Sequence, residues 1–380
     1  MARKPAPTPA PTPVLPTARW KRSLARQLTA WYRRHRRDLP WRRTHDPYPI
    51  WVSEIMLQQT QVATVVPYFL RFMAMFPTVQ ALARADESDV LRQWEGLGYY
   101  RRARQLHRAA RAVVDEHAGQ FPCTLETIGH LPGVGRYTAG AIASIAFDAP
   151  AAILEANTVR LFSRLVGFEG DPASGAGRRF LWELAEAVLP PRNCRDFNSA
   201  LMDLGSLVCT PRNPGCEHCP LSDLCVSFAR GQQEQIPRSR PKAPSEAVRE
   251  AAVVVWHNDK VLLRRRTAGE RWAGLWDFLR FEISSRRGAA SNEELLDKIR
   301  QQSGLAVRPP ERIATLKHGV TRFRITLDCY VARCRAGRAK LVAGQWQWVE
   351  PDELENFPLS VTGRKLGRLL TGAGQRPTGR

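Results

Sequence analysis

The chain has 380 residues, enough for two or three domains, and its 43% hydrophobic and 24% charged residues are ordinary for a globular protein. The charge balance is not ordinary, because 57 Lys and Arg against 36 Asp and Glu give a net charge of +21. Such a field attracts polyanions, most commonly nucleic acid, although a basic ribosomal or membrane-surface protein would share it. The charge therefore indicates only a class of partner.

No apolar run approaches the roughly 20 residues that span a bilayer, so no membrane segment is expected. Residues 1–17 are rich in Ala, Pro and Thr and lack the apolar stretch of a secretory signal, which predicts a disordered arm over residues 1–19. Eight cysteines without an export signal favour metal ligation or free thiols over disulfides. We therefore expect a reducing, cytoplasmic setting.

Residues 20–230 carry helical patterns. Trp20, Leu24, Leu28 and Trp31 form one stripe of an amphipathic helix. Pro or Gly separates further segments with the same periodicity, which are 51–66, 89–95, 101–116, 124–130, 136–147, 157–166, 177–188 and 196–208. The pattern predicts an all-α region.

The periodicity changes after a polar, proline-containing stretch at residues 231–247, which is typical of a linker. The region 248–368 is predicted to be an α+β domain, and 369–380 a flexible tail. The predicted elements of the α+β domain are a β-hairpin at 251–256 and 260–263, a helix at 293–303, and strands at 322–333 and 345–349.

Four cysteines, Cys209, Cys216, Cys219 and Cys225, are spaced to wrap one metal centre. A zinc ribbon usually presents two C-x2-C pairs, and only one such pair occurs here, although structural zinc remains the alternative. The single-loop spacing resembles the cluster loop of the endonuclease III superfamily, which holds a [4Fe–4S] centre. The other cysteines have no ligand spacing and are interpreted as free or buried thiols, namely Cys123, Cys194, Cys329 and Cys334.

A glycine-containing turn, LPGVG at residues 131–135, lies between the predicted helices 124–130 and 136–147. Gly133 and Gly135 allow a tight reversal that leaves backbone N–H groups exposed at the next helix N-terminus, where a phosphate is favoured. A lone G-x-G is usually only a turn. Between two helices of a chain with charge +21, it resembles a helix-hairpin-helix that grips the DNA backbone.

The segment WVSEIMLQQTQV, residues 51–62, places Glu54 among apolar residues. A solvated glutamate on an amphipathic helix is the ordinary interpretation. A carboxyl beside apolar groups can instead have a raised pKa and serve as a general acid. Glu54 is therefore a candidate catalytic residue.

Together these features resemble the adenine-excising MutY family of DNA glycosylases over about residues 20–228. The matching segments occur in the family's order and include LPWR (39–42), DPY (46–48), WVSEIMLQQTQV (51–62), WEGLGYYRRARQLHRAA (94–110), LPGVGRYTAGAI (131–142), FN (197–198) and LMDLG (201–205). The resemblance implies an α-helical glycosylase region followed by a MutT-like (Nudix) domain that reads 8-oxoguanine opposite the adenine.

The resemblance also implies roles for individual residues. Glu54 would protonate an adenine extruded from the duplex. Tyr137 stands where bifunctional relatives carry a catalytic lysine, so no Schiff base and no strand cleavage are expected. Asn157 would orient the catalytic carboxylates. The adenine pocket would be lined by Trp41, Arg42, Leu57 and Asp203, and the duplex would be wedged open by Gln59, Thr60 and Tyr99.

Two departures stand beside these matches. Glu155 replaces the aspartate expected of the family. One extra methylene moves a carboxylate by about 1 Å, a displacement that can severely reduce a catalytic rate. In the second domain both metal-binding glutamates of the Nudix motif are replaced in the sequence DKIRQQ, residues 297–302, so nucleotide hydrolysis is not expected. The family's Phe-Ser-His hairpin becomes Val320, Thr321 and Arg322, which retain a hydroxyl and a donor for recognising 8-oxoguanine.

We therefore expect a monomeric, monofunctional adenine DNA glycosylase acting on double-stranded DNA that contains adenine opposite 8-oxoguanine or guanine. Two alternatives remain open. One is a bifunctional pyrimidine-lesion glycosylase and lyase, which Tyr137 and the second domain disfavour. The other is a lesion-binding paralogue without activity, which the Glu155 replacement motivates.

Overall fold

The computed structural model describes the chain with four internal gaps and without its two ends, and the chain forms two compact units. One unit comprises residues 1–84 and 105–241, and the other comprises residues 85–104 and 242–380. The predicted N-terminal arm and tail lie largely outside the described residues, which are 15–238, 245–285, 288–320, 322–335 and 344–372.

Helices account for the regular structure of residues 15–238, as the 3.6-residue periodicity predicts. In the described part of the chain, no helix has the length and apolar character needed to cross a membrane. The helices are α1 (Ala18–His35), α2 (Pro47–Leu57), α3 (Val62–Met75), α4 (Val79–Arg84), α5 (Glu87–Gln93), α6 (Arg101–Glu116), α7 (Leu125–Gly129), α8 (Arg136–Phe147), α9 (Ala156–Leu165), α10 (Gly175–Val188), α11 (Cys194–Leu207) and α12 (Val226–Ala229), with short 3₁₀ turns at Pro40–Arg42, Cys216–His218 and Ser222–Leu224.

A core shared by α1, α9, α10 and α11 closes one side of the first unit. Leu28, Phe162, Leu181 and Leu204 are fully buried there. Each such side chain contributes about 1.5–3 kcal/mol when removed from water. This core holds the helix N-terminus that carries Glu155 against the helix that carries Asp203.

The sequence predicts one helical segment over 51–66, but the structure has two helices, α2 and α3. The chain breaks at Gln58, the last residue before the turn, and Gln59 adopts φ +57. A left-handed backbone at a residue with a side chain is costly and ends a right-handed helix. Gln59 and Thr60 therefore lie in a short turn and not on a helix face.

The second unit contains a mixed sheet with the strand order β3-β2-β1-β6-β5, while β4 pairs with β1 and β7 pairs with β2. β1 and β6 run parallel from Glu246 opposite Phe323 to Trp256 opposite Arg333. The strands are β1 (Glu246–His257), β2 (Lys260–Arg265), β3 (Trp276–Asp277), β4 (Leu279–Glu282), β5 (Glu311–Val320), β6 (Phe323–Arg333) and β7 (Trp346–Val349), and the helices are α13 (Asn292–Ser303) and α14 (Val361–Gly372).

The helices α13 and α14 pack on different core clusters of this unit. Leu295 and Ile299 of α13 join the cluster that contains Val253 and Val255 of β1. Leu366 and Leu370 of α14 join the cluster that contains the alternate β1 residues, Ala252 and Val254 among them. Because alternate residues of a strand point to opposite faces, the sheet lies between α13 and α14.

The α+β prediction for this region is confirmed, but its outline needs correction. The predicted hairpin is β1 and β2, with Asn258 at φ +52 in the turn. β5 and α14 lack a clear sequence signal and were not expected. α14 continues to Gly372, inside the predicted tail, because burying Leu366 and Leu370 extends the helix.

The predicted linker and the predicted helical domain also differ from the structure. Ile236 is buried and its carbonyl accepts a hydrogen bond of 2.9 Å from Arg164 Nε, so the start of the 231–247 stretch is packed. Residues 85–104, which include α5, lie within the predicted helical region 20–230 but group with the second compact unit. There the Glu95 carboxylate accepts bonds of 2.7 and 2.8 Å from the Arg364 guanidinium.

Candidate functional site

Glu54 lies on α2 and is only 3% exposed. The Tyr137 hydroxyl donates a 2.8 Å hydrogen bond to its Oε2. Burial raises the pKa of Glu54 to about 7, a rise that the Tyr137 bond and Arg42 oppose and that the charge of Glu155 increases. The carboxyl can therefore carry a proton near neutral pH, as a general acid requires.

Tyr137 occupies the first turn of α8. Its hydroxyl also lies 3.5 Å from Met202 Sδ. Burial, together with the charges of Glu54 and Glu155, raises the pKa of Tyr137 well above its ordinary value, so it stays a neutral donor. A phenol at this position cannot form an imine.

Glu155 is the N-cap of α9. Its carboxylate accepts hydrogen bonds from the backbone N–H groups of Asn157 at 2.8 Å and Thr158 at 2.9 Å, while Thr158 Oγ1 accepts from the Glu155 N–H at 2.7 Å. Burial raises the pKa of Glu155, and these backbone bonds oppose the rise. The side chain therefore caps a helix and also lies close enough to Glu54 to perturb the pKa of that residue.

Asn157 connects Glu155 to the cysteine loop. Its side chain hydrogen-bonds Glu155, and its Oδ1 accepts a 2.9 Å bond from Arg160 Nη2. Arg160 Nε in turn donates to the carbonyl of Cys209 at 2.7 Å. A Cβ on Gly205 would lie 2.8 Å from Asn157 Cβ, so only glycine lets α11 approach this closely. The sequence does not single out Arg160.

Of the four predicted adenine-pocket residues, two form an ion pair and the other two are apolar. Arg42 and Asp203 pair directly, with Arg42 Nη1 2.6 Å from Asp203 Oδ2. Arg37, which sequence reasoning missed within a run of arginines, donates from Nε to Asp203 Oδ1 at 2.8 Å. Trp41 is buried edge-on against Phe69. Leu57 is half-buried at the end of α2.

The turn between α7 and α8 has the form that the sequence predicts. Gly133 adopts φ +78, and a Cβ there would meet Gln105 Cβ at 2.5 Å. Gly135 is the N-cap of α8, and nothing lies within 4 Å of its Cβ position. The backbone of this turn is therefore open to a ligand at a helix N-terminus.

Tyr99 belongs to the second unit and is 47% exposed. It adopts φ +50, a strained backbone for an aromatic residue, and the Arg102 guanidinium lies 5.4 Å from its ring centre. Strain of this kind clusters at functional positions. Tyr99 is therefore not a core aromatic residue.

The four cysteines of the loop line one pocket with Arg164. Arg164 Nη1 lies 3.3 Å from Cys209 Sγ and supplies a buried positive charge to it. Burial raises the pKa of Cys219 to about 12 and also raises the pKa values of Cys216 and Cys225, so metal ligation would have to displace protons.

The pocket lined by the four cysteines offers the donors that an iron–sulfur cluster requires. A lone zinc needs its thiolates within about 2.3 Å of one point. Among the described residues, no group of three or more Cys, His, Asp or Glu side chains has an arrangement that could hold a metal ion. Four cysteine sulfurs that line one pocket, with the Arg164 cation beside Cys209, are the donors and the charge that suit an iron–sulfur cluster.

The turn between β5 and β6 carries the residues predicted to recognise 8-oxoguanine. Thr321 lies outside the described residues. Arg322 is exposed, its Nε lies 3.8 Å from Glu246 Oε2, and its guanidinium lies over the Phe323 ring at 5.0 Å. Gln301 and Gln302 lie in α13, so the helix lacks the carboxylates expected there in a metal-dependent hydrolase.

Comparison with known proteins assigns each part of the chain. Residues 52–187 match the HhH-GPD superfamily of base excision DNA repair proteins. Residues 209–225 match the iron–sulfur binding domain of endonuclease III, and residues 251–368 match the NUDIX domain. A solved thermostable thymine-DNA glycosylase is 34% identical and superposes with a TM-score of 0.52, covering 56% of this chain and 98% of its own.

Curated relatives extend over both units. The adenine DNA glycosylase of Rattus norvegicus is 33% identical over 398 residues, which span 90% of this chain and 77% of the relative. The adenine DNA glycosylase of Buchnera aphidicola (Schizaphis graminum) is 36% identical over 253 residues, 66% of this chain and 73% of the relative. The chain therefore belongs to the adenine DNA glycosylase family, hydrolases of N-glycosidic bonds in DNA that carry a [4Fe–4S] cluster.

Proposed function

We propose that the enzyme excises adenine opposite 8-oxoguanine or guanine in double-stranded DNA, with Glu54 as general acid and without cutting the strand. The single observation that carries this proposal is the buried Glu54 carboxyl, with a pKa of about 7, bonded to a tyrosine hydroxyl. An acid of that strength can protonate a purine nitrogen and be regenerated at neutral pH.

The first step breaks the glycosidic bond. Glu54 gives its proton to a ring nitrogen of the extruded adenine, and the bonding electrons leave with the base. The sugar is then an oxocarbenium-like cation beside the new Glu54 carboxylate. The Tyr137 hydroxyl stabilises that carboxylate through the bond to Oε2, which is stronger to a charged acceptor than to a neutral one.

Glu155 serves this same step as a fixed negative charge. Its carboxylate is held by two backbone N–H groups and by Asn157, so it cannot rotate away from the site. A fixed charge stabilises a developing cation without a reorganisation cost. Water then adds to the sugar carbon, and its proton passes to the Glu54 carboxylate, which restores the acid.

Monofunctional activity follows from the side chain at position 137. A lyase needs an amine that attacks the sugar carbon and forms an imine, which borohydride reduces to a stable adduct. Tyr137 presents a neutral phenol there, engaged with Glu54. We therefore expect free adenine and an intact abasic strand as the products.

The four loop cysteines are proposed to hold the cluster, with Arg164 beside Cys209. When bound, the cluster supplies a rigid cross-link among the ligands. Through Arg160 and Asn157 the same loop is connected to the Glu155 cap. Its role in this proposal is to fix the position of the catalytic carboxylate.

The second unit is proposed to read the base opposite adenine through Thr321 and Arg322. An exposed arginine at a turn can donate to a purine edge. We also propose that the enzyme works as a monomer, in the cytoplasm and on DNA, where a thiolate-bound cluster is protected from oxidation.

The deciding experiment is single-turnover release of adenine from duplexes that differ only in the opposing base. We expect fast release opposite 8-oxoguanine, slower release opposite guanine, and no borohydride-trapped adduct. Failure to release adenine with full duplex binding would support the non-catalytic paralogue. Efficient trapping at a lysine near residue 137 would support a lyase.

A further inference from the structure

A cavity of about 460 Å³ opens between the N-terminal turns of α8 and α10 in the first unit. Gly135 and Gly175 leave the backbone uncovered at its rim, since nothing lies within 4 Å of the Gly135 Cβ position and only Arg179 Nη1, at 3.6 Å, approaches that of Gly175. The lining also includes Arg136, Arg178 and Arg179.

These three arginines differ in how their charges are compensated. Arg136 pairs with Glu186 and stacks on Trp182, with its guanidinium 3.9 Å from the ring centre. Arg178 and Arg179 are exposed, and among the described residues neither has a carboxylate oxygen within 4.0 Å. The cavity therefore carries two positive charges with no acidic partner in this part of the chain.

The cavity also adjoins the catalytic acid. Tyr137 is part of its lining, and the hydroxyl of that same side chain donates to Glu54. A nucleotide that brings its base to Glu54 must therefore place its flanking phosphates near this lining. Arg178 and Arg179 of α10 line this cavity together with Gly135 at the end of the hairpin, so a phosphate bound there would meet both elements.

We propose that Arg178 and Arg179 bind backbone phosphates of the adenine-bearing strand, next to the extruded nucleotide. The ligand is thus a DNA phosphodiester, and the contact is additional to the helix-hairpin-helix. The inference rests on the proposed extrusion of adenine toward Glu54. Each phosphate neutralised by an arginine releases condensed counterions, which makes the contact visible as a salt dependence of binding.

The test measures binding of the full chain to a duplex with 2′-fluoro-deoxyadenosine opposite 8-oxoguanine. Fluorine destabilises the sugar cation, so this duplex is bound but not cleaved. We expect Arg178→Gln/Arg179→Gln to weaken binding about tenfold and to lower the slope of log Kd against log salt by about 1.8, or 0.9 for each contact. Arg178→Lys/Arg179→Lys should keep most of the slope.

A matched control distinguishes the effect of a direct phosphate contact from the effect of a change in net charge. Arg22→Gln/Arg26→Gln removes the same charge from exposed positions of α1 that do not line the cavity, and it should change the slope much less. Single methylphosphonates placed near the adenine should weaken wild-type binding at one or two positions. A methylphosphonate at those positions should cause no further loss of duplex affinity in the Arg178→Gln/Arg179→Gln variant.

The proposal is overturned if the double glutamine variant keeps the wild-type slope of log Kd against log salt, or if the control variant lowers that slope equally. It is also overturned if every methylphosphonate weakens binding by the double glutamine variant as much as it weakens binding by the wild type. A wild-type enzyme that binds but releases no adenine would refute the proposed function, while the methylphosphonate comparison would still decide this inference.

Discussion

At the scale of single residues, the site depends on a buried carboxyl whose surroundings act in opposite directions. Burial favours the neutral form of Glu54, while Arg42 and the Tyr137 hydrogen bond favour the charged form. The resulting pKa of about 7 lies above that of an ordinary carboxyl and below that of a buried carboxyl without such partners. Such a group can be protonated before bond cleavage and ionised after it.

This balance predicts the pH dependence of excision. Glu54 acts protonated, so the single-turnover rate should fall about tenfold per pH unit above pH 7, where the protonated fraction declines. Glu155 acts ionised, and because burial raises its pKa the rate should also fall on the acidic side. The measurement is adenine release at saturating enzyme across pH 5 to 9. A flat profile above pH 7 would place the acid elsewhere.

Replacing the acid should separate binding from chemistry. Glu54→Gln cannot donate the proton, so we expect a loss of about 10²–10⁴-fold in excision with unchanged duplex affinity. The folded protein favours the protonated carboxyl, so the stability that this group contributes is lost as pH rises through its folded pKa. The glutamine variant should therefore unfold at an equal or higher temperature than wild type at pH 8, which excludes misfolding as the cause.

Glu155 offers a sharper test, because the structure gives it a cap as well as a charge. Glu155→Gln keeps an oxygen for capping but removes the charge, and we expect a loss of 10²-fold or more in excision, typical of a lost electrostatic contact. Glu155→Asp should retain or raise activity. If the glutamine variant excises like wild type, capping is the whole role; if only the aspartate variant is active, the chain is a binding paralogue.

At the scale of elements, local sequence patterns predict where most helices lie, but they predict less well the residues at which those helices begin and end. Periodicity and punctuation locate α6 and α8, and the cysteine spacing locates the cluster loop. The break after Gln58 was not predictable, because the residue with the left-handed backbone, Gln59, is not a glycine and so gives no sequence signal for a turn. Arg37 and Arg160 were missed for another reason: their partners, Asp203 and Cys209, are distant in sequence and only the packing of the first unit brings them together.

The cluster loop makes its own prediction. Cys216→Ser should lose iron and inorganic sulfide together, and with them the brown colour, because three thiolates hold a cluster more weakly than four. Cys123→Ser is the matched control, since Cys123 is exposed and lies outside the loop. Near-equal iron and sulfide are expected in wild type and in this control. Stoichiometric zinc without sulfide in wild-type protein would contradict the assignment.

At the scale of the whole molecule, the two units do not follow the order of the chain. Residues 85–104 precede most of the helical region yet belong to the unit that contains the sheet. The Leu359 N–H and the Arg364 guanidinium both donate to Glu95 there. Deleting the C-terminal region would therefore remove the partners of a segment that carries Tyr99, so a truncation cannot test recognition of the opposing base cleanly.

Point variants in the full chain avoid that difficulty. Arg322→Ala and Thr321→Ala remove the donor and the hydroxyl proposed to contact 8-oxoguanine, and each should reduce the preference for 8-oxoguanine over guanine on the order of tenfold, within the 1–3 kcal/mol of one base contact. Arg324→Ala is the matched control, because Arg324 is exposed on β6 two residues further along. The measurement is the ratio of adenine release from the two duplexes at subsaturating enzyme. Release opposite guanine at saturation should not change, since Glu54 and Glu155 are untouched. If Arg324→Ala lowers the ratio as much as Arg322→Ala, the effect is one of net charge and the turn does not read the base.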